Sequence, residues 1–362
     1  MFHRGEVITV TIDSYAFGGR GIARIPNGDS QFIVFVDNAF PGQTVKAKID
    51  VKRKQHAEAK LIEVITRAAC EKVTDFQEIS GAPYLFVPID VQRSMKTSST
   101  LSTFSRISGF QAMESCFDGY IEAPEPYFYR NKMEYSFSSI EHLIESGEEK
   151  DGAFALGFKR RGTWWKVENL NRPSGLFDED WERKLPLLRD HLEQSDLPAW
   201  HPPRKTGFFR HIVLRKSFKD DRLLVHLVTS SEGIKQFDAQ AFVDKVIELH
   251  GARIAGIQHT INDDVADRSK IENGRTRILY GQPLVEENLL GLTFQMRMES
   301  FFQTNPKCAA LLYQKAIDYL LENGSENEEI LDLFCGTGTI AQLIWKQHEH
   351  RVNGLVLCST AP

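Results

Sequence analysis

Apolar and polar positions alternate along much of the first sixty-five residues. In Val7–Ile12, Ile8, Val10 and Ile12 fall on one face and Thr9 and Thr11 on the other, which predicts a half-buried strand. Val45, Ala47, Ile49 and Val51 alternate with Lys46, Lys48, Asp50 and Lys52 and predict a second. Phe32–Val36 is a short unbroken apolar run, expected as a buried strand, and Leu61–Ile65 as one more. Gly18, Gly19 and Gly21 mark a turn or bulge, and Pro41-Gly42 a turn. Several short strands in so short a stretch predict a small β-barrel of the OB type.

Residues 66–275 read as α+β with several hairpins. Met133, Tyr135 and Phe137 alternate with Lys132, Glu134 and Ser136. Phe154, Leu156 and Phe158 alternate ahead of an Arg160-Arg161-Gly162 turn. Ile212 and Leu214 lead to an Asp220-Asp221 turn, from which Leu223, Val225 and Leu227 return. These predict antiparallel pairs with one wet face. The acidic stretch Glu141–Gly152 is expected as an exposed loop. Three places mix aromatics with cations: Tyr127–Lys132, Phe158–Lys166 and Phe208–His211. Such mixtures can stack unpaired bases and hold phosphates. Rings in the core with cations at the rim are the commoner arrangement.

The period changes near the end. Asn305 and Pro306 cap a helix over Cys308–Glu322, with Gly324 as its stop. Ala309, Leu312, Tyr313, Ala316, Ile317, Leu320 and Leu321 form its apolar stripe. An apolar strand, Ile330–Phe334, then runs into Cys335-Gly336-Thr337-Gly338-Thr339-Ile340-Ala341, and a helix follows to about Gln347. Strand, glycine turn, helix is the setting that gives a GxG motif meaning. By itself it fits a dinucleotide, S-adenosylmethionine or a tight structural turn.

Composition narrows the class. The chain has 362 residues, 41% hydrophobic and 26% charged, enough for two or three domains with real cores. A net charge of −5 excludes a uniformly basic nucleic-acid coat, though not a local basic face. Lys46, Lys48, Lys52, Arg53 and Lys54 surround one acid, Asp50, and form such an edge; a solvated strand face is the plainer reading of that segment alone. No apolar run reaches the roughly 18 residues of a membrane span, and Met1–Glu6 is no signal-peptide core, so a cytoplasmic protein is expected. Five cysteines (Cys70, Cys116, Cys308, Cys335 and Cys358) contain no CxxC pair, which excludes a zinc finger and a disulfide scaffold.

Two resemblances sharpen this. Gly5-Glu6-Val7, Phe17–Ala23, Val34–Val36, Phe40-Pro41-Gly42 and Val45 resemble a TRAM domain, an RNA-binding OB-like module. That resemblance implies RNA contact by the edge of Lys46, Lys48, Lys52 and Arg53. Glu299–Asn305 followed by Asp332–Ile340 resembles the RNA uracil-C5 methyltransferases, which make 5-methyluridine. Phe128–Glu134, Gly157–Gly162, Phe208–His211 and Leu279-Tyr280-Gly281 stand in the family's order, so the likeness runs from about residue 5 to 347. It implies a multidomain chain. An OB-like β-barrel (TRAM) covers 1–66 and a central α+β RNA-binding domain 67–275, with part of 93–125 packing on the catalytic domain. The start of a Rossmann-like class I methyltransferase domain covers 276–362. The resemblance implies S-adenosylmethionine as cofactor, contacted by Gln303 and Phe334, with Gly336 and Gly338 shaping the turn beneath it. Arg130, Lys132, Arg160 and Arg161 are the expected RNA contacts of the centre. The partner is RNA, ribosomal rather than transfer RNA, bound by a monomer. A nicotinamide dehydrogenase drops out.

The implied chemistry makes further demands. Carbon 5 of uracil is a poor nucleophile until a cysteine thiolate adds to C6; a base then removes the C5 proton. In the family both groups lie well beyond the glycine turn, and no cysteine here fits, so no catalytic residue is assigned. No acid stands near Val356, where a ribose-binding carboxylate is expected. A chain shifted in frame or cut near residue 350 is therefore expected. It would be an inactive, RNA-binding remnant whose last eighty or so residues are poorly soluble. Many members also carry a four-cysteine iron–sulfur site. Cys70 matches its first ligand, but Ile79-Ser80-Gly81-Ala82 replaces the next two, so no cluster is predicted.

Overall fold

The computed structural model describes residues 2–144, 146–264, 275–322, 329–348 and 352–355. The chain separates into two compact units. The first comprises Met1–Tyr120, His142–Lys150 and Lys159–Trp164, the second Ile121–Glu141, Asp151–Phe158 and Trp165–Pro362.

In the first unit six strands form one mixed sheet: β1 (Val7–Thr11), β2 (Ser14–Ala16), β3 (Arg20–Asn27), β4 (Ser30–Asp37), β5 (Thr44–Lys52) and β6 (His56–Thr66). Their order is β1-β5-β6-β4-β3-β2, with only β4 and β6 parallel. The register sets Ile8 opposite Ala47 and Val10 opposite Val45, so the two alternating strands face inward together. Ile8, Val10, Ile12, Phe32, Val34 and Val36 join one buried cluster. Phe32–Val36 is thus not wholly buried as expected: Ile33 and Phe35 point to the half-exposed side, because this sheet has a single core face. The glycine stretch is not only a turn either. Gly18 and Gly19 (φ 89° and 91°) make the turn, but Gly21 lies in β3, where a Cβ would come 2.7 Å from Ile12 Cγ2. Helix α1 (Ile89–Ser108) ends at Gly109 in the left-handed conformation and buries no residue.

The second unit is built on a seven-stranded sheet. Its elements are β7 (Lys132–His142), β8 (Glu149–Lys159), β9 (Val167–Asn169), α2 (Glu179–Glu193), β10 (Phe209–Lys216), β11 (Leu223–Thr229), α3 (Ala239–His250), β12 (Ile254–Ile261) and β13 (Arg275–Gly281). The order is β13-β12-β11-β10-β7-β8-β9. Strands β11 and β12 run parallel, with α3 as the crossover. The expected long acidic loop shrinks, since Glu141 and His142 end β7 and Glu149 begins β8.

The expected wet face is absent from the centre of this sheet: every residue of β11, and of β10 up to Arg215, is buried. Both faces are covered. Tyr135 meets Glu182 of α2 on one side. On the other, Val213, Leu224 and Ala255 pack on Val285, Met296 and Met298 of a hairpin, β14 (Leu284–Leu289) and β15 (Leu292–Arg297), and the residue after it. The hairpin's Leu289 packs in turn on Ile317, Leu343 and Ile344. These belong to α4 (Pro306–Glu322) and α5 (Thr339–His348). Only part of the expected stripe on α4 is used: Ala309 and Ile317 are buried, whereas Leu312, Ala316 and Leu320 face outward. Strand β16 (Ile330–Leu333) pairs in parallel with β17 (Val352–Leu355), and α5 connects them.

Candidate cofactor turn and RNA-facing surface

The turn grows out of β16. Phe334, Gly336 and Gly338 all have positive φ (62°, 57° and 71°), which costs little for glycine and is sparsely populated for phenylalanine. Gly338 N–H donates to Cys335 O at 2.8 Å, and Gln342 N–H to Gly338 O at 2.9 Å, so the turn passes directly into α5. Gln342 Nε2 braces it through Thr337 O at 3.0 Å. A Cβ at Gly336 would meet nothing within 4 Å, so that part of the turn is open. Phe334 is 76% exposed at the strand end. The parallel pairing of β16 with β17 across α5 is a βαβ unit, whose helix start offers free amides at the strand's C-terminal end. The residues fit an adenosine-type cofactor laid over open backbone.

Gln303 lies in the irregular segment that precedes α4. Asn305 Oδ1 accepts from Cys308 N at 3.0 Å, the expected cap. Four groups of the central sheet and its approach hold the segment. Asn131 Nδ2 donates to Gln303 O at 3.0 Å and Asn131 N–H to Thr304 O at 2.8 Å. Lys132 Nζ donates to Met298 O at 3.3 Å. Arg215 Nη2 donates to Met298 O at 3.3 Å and Ser300 O at 2.5 Å. Burial lowers the pKa of Arg215 to about 10; burial and then the Arg215 charge lower that of Lys132. Reading the sequence missed Arg215, because a cation ending an alternating strand looks like a solvent-facing one.

The expected RNA contacts separate. Lys48 and Lys52 are exposed on the outer face of β5 and Arg53 just past its end, while Lys46 pairs with Glu63 at 3.1 Å and Asp50 with Lys60 at 3.0 Å. Arg161 bonds to Asn38 Oδ1 through its guanidinium and to Ser80 Oγ through its amide. Arg130 and Arg160 are half-exposed. Lys132 is half-buried and turned to Met298. In Phe208–His211 the commoner reading holds: all four residues are fully buried, with the Arg210 guanidinium 4.3 Å over Trp200.

A cleft of about 800 Å³ at the start of α2 is lined by Asp178, Lys216, Asp221 and Arg253, among others. Asp178 Oδ2 takes Lys216 and Arg253 at 2.6 Å each, and Arg253 reaches Asp221 at 2.8 Å, so these charges neutralise one another. Cys70 packs beside Phe40, Ala68 and Val87, Cys116 is exposed, Cys308 is in α4, and Cys335 Sγ lies under the turn, 2.9 Å from where a Cβ on Gly354 would stand. Gly324, Val356 and Cys358 lie outside the described residues.

Residues 2–62 match the TRAM domain. Named RNA methyltransferases match nearly the whole chain. One from Clostridium acetobutylicum is 33% identical over 91% of this chain and 69% of its own length. One from Caldanaerobacter subterraneus is 30% identical over 99% and 75%. The chain belongs to the RNA methyltransferases. RNA is thus the partner class of its family. A crystal structure of Pyrococcus abyssi tRNA (uracil-54, C5)-methyltransferase in complex with S-adenosyl-L-homocysteine shares the fold. Its TM-score is 0.62 at 19% identity, over 96% of this chain and 73% of that one. The expected break near residue 350 finds no support, since the match to the Caldanaerobacter protein takes in 99% of the chain. No helix among the described residues is long and apolar enough to cross a membrane.

Proposed function

We propose that this chain descends from the S-adenosylmethionine-dependent RNA uracil-C5 methyltransferases and binds ribosomal RNA in the cytoplasm as a monomer. The carrying observation is the open βαβ turn at Gly336 and Gly338 in a chain of this family. Residues 1–66 form an OB-like RNA-binding domain, 67–275 the central RNA-binding domain and 276–362 the methyltransferase domain. Bound S-adenosylmethionine supplies an electrophilic methyl group. Gln303, through its side-chain amide, and Phe334, at the end of β16, would hold it, and Gly336 and Gly338 would let it approach the backbone. Lys48, Lys52, Arg53, Arg130 and Arg160 face RNA phosphates. The TRAM domain favours ribosomal over transfer RNA as substrate.

Within this reading the polypeptide binds but does not transfer. Of the described thiols, Cys335 lies beside the turn, Cys308 sits in α4, Cys70 packs against Phe40 and Cys116 is exposed, and none of them is assigned as the nucleophile. Calorimetry with S-adenosylhomocysteine and transfer of labelled methyl to ribosomal and transfer RNA test it. Cofactor and RNA binding without transfer are expected. Absence of cofactor binding rejects the methyltransferase reading, and transfer rejects the inactive one.

A further inference from the structure

We infer that Asn131 and Arg215 are positioning residues for the cofactor, holding the Met298–Thr304 segment so that Gln303 presents its side chain. The inference rests on the cofactor reading above.

The segment has no helix or strand of its own. Between β15 and α4 its only internal backbone bond runs from Ser300 N–H to Arg297 O at 3.2 Å. Its carbonyls at Met298, Ser300, Gln303 and Thr304 take their hydrogen bonds from residues more than eighty positions away. Asn131 is fully buried and donates twice, once by side chain and once by backbone, to consecutive carbonyls. Arg215 is 1% exposed and, among the described ion pairs, has no carboxylate. Its guanidinium also reaches Met296 Sδ at 3.7 Å, and the Glu299 charge favours its protonated form without forming an ion pair among the described residues. A buried guanidinium on neutral carbonyls is a costly way to fill space, and an apolar side chain of similar volume does so at lower cost. The guanidinium adds direction: two bonds that fix the backbone three and five residues before Gln303.

Gln303 itself is clamped by its carbonyl alone. Its side chain is exposed and makes no hydrogen bond among the described residues. A fixed backbone under an uncommitted amide is what pre-organised ligand contact requires, because ordering the segment is then complete before binding. Phe302 secures the same segment from below, half-buried against the β15 side with its ring 5.9 Å from Phe294.

The test uses the full chain, S-adenosylhomocysteine as probe, and amide hydrogen exchange. Asn131→Ala and Arg215→Met are each expected to weaken affinity about tenfold, the size of one or two lost hydrogen bonds. Exchange across 298–304 should rise while β10–β11 amides keep their protection. Arg215→Lys, which retains a cation for one carbonyl, should recover part of the loss. Wild-type affinity in both variants overturns the positioning role while leaving the cofactor reading intact. So does a loss of affinity accompanied by equal loss of protection in β10–β11, since that marks a general structural role. Failure of the wild-type chain to bind the probe rejects the cofactor reading itself.

Discussion

The Tyr135 hydroxyl donates to Glu182 Oε1 at 2.9 Å, with both side chains fully buried between the central sheet and α2. Burial pushes the Glu182 carboxyl up to about 7, against the donors from Ser174 N–H, Ser174 Oγ and Tyr135 that favour its charged form. The folded pKa exceeds the unfolded one, so the folded state holds an extra proton between about 4.5 and 7. Glu182 therefore subtracts stability as pH rises through that window, by on the order of 3 kcal/mol, and its effect levels off above it. Denaturant titrations across this range should show the stability of wild type relative to Glu182→Gln falling with pH. A constant difference would refute the buried-acid account.

Three histidines act in the opposite sense. Burial lowers His226, His250 and His259 to about 4 each. Below their ordinary pKa near 6.5 the unfolded chain takes up protons that the folded chain does not, so stability drops as pH falls from 6.5 towards 4. Three groups outweigh one, and a net loss on mild acidification is expected. His226→Gln should flatten about a third of the histidine contribution, read from the same titrations.

Lys48, Lys52 and Arg53 should behave differently from Arg161 in RNA binding. Neutralising any of the first three is expected to reduce the slope of log affinity against log salt by about 0.7 to 0.9, without changing melting temperature. Arg161→Ala should instead destabilise the first unit by about 1 kcal/mol, because it removes the link to Asn38. Filter binding at several salt concentrations, alongside melting curves, separates the two. A slope change from Arg161→Ala alone would move the RNA edge to that turn.

Alanine at Gly336 or Gly338 forces a Cβ into the left-handed region, which costs roughly 1 to 2 kcal/mol, although neither position is crowded. S-adenosylhomocysteine affinity should fall in both variants while RNA binding stays unchanged. Unaltered cofactor affinity in both would place the cofactor elsewhere.

Protein purified without oxygen is expected to contain no stoichiometric iron. Ile79, 3% exposed in the core, and Ala82 stand where the resemblance places the second and third cluster cysteines, and neither can ligate iron. Metal analysis and the visible absorption spectrum check this, and one cluster per chain would contradict it.

Much of this fold could be read from spacing. Ile8, Val10 and Ile12 face inward as their alternation implies, and the hairpin through Asp220-Asp221 forms where its turn residues stand. Alternation fails for β10 because it reports which residues are apolar, not how many layers lie above them. His211 and Arg215 look solvent-facing in sequence, yet α2 lies on one side and the β14–β15 hairpin on the other. The turn at Gly336 was legible since glycine and a positive φ are linked locally. The hold of Asn131 on Gln303 was not, because 172 positions separate them and nothing in either neighbourhood encodes the meeting.

The anchoring of the Met298–Thr304 segment bears on how the chain could be divided. A boundary after residue 275 looks natural in the sequence. A fragment severed there would keep Arg215 and Asn131 but lose the carbonyls they serve, leaving a guanidinium and an amide stranded beside bare apolar surface at Val213 and Leu224. The stretches before and after residue 275 are therefore not interchangeable modules on a string. Any exchange between relatives would have to carry both sides of that seam together.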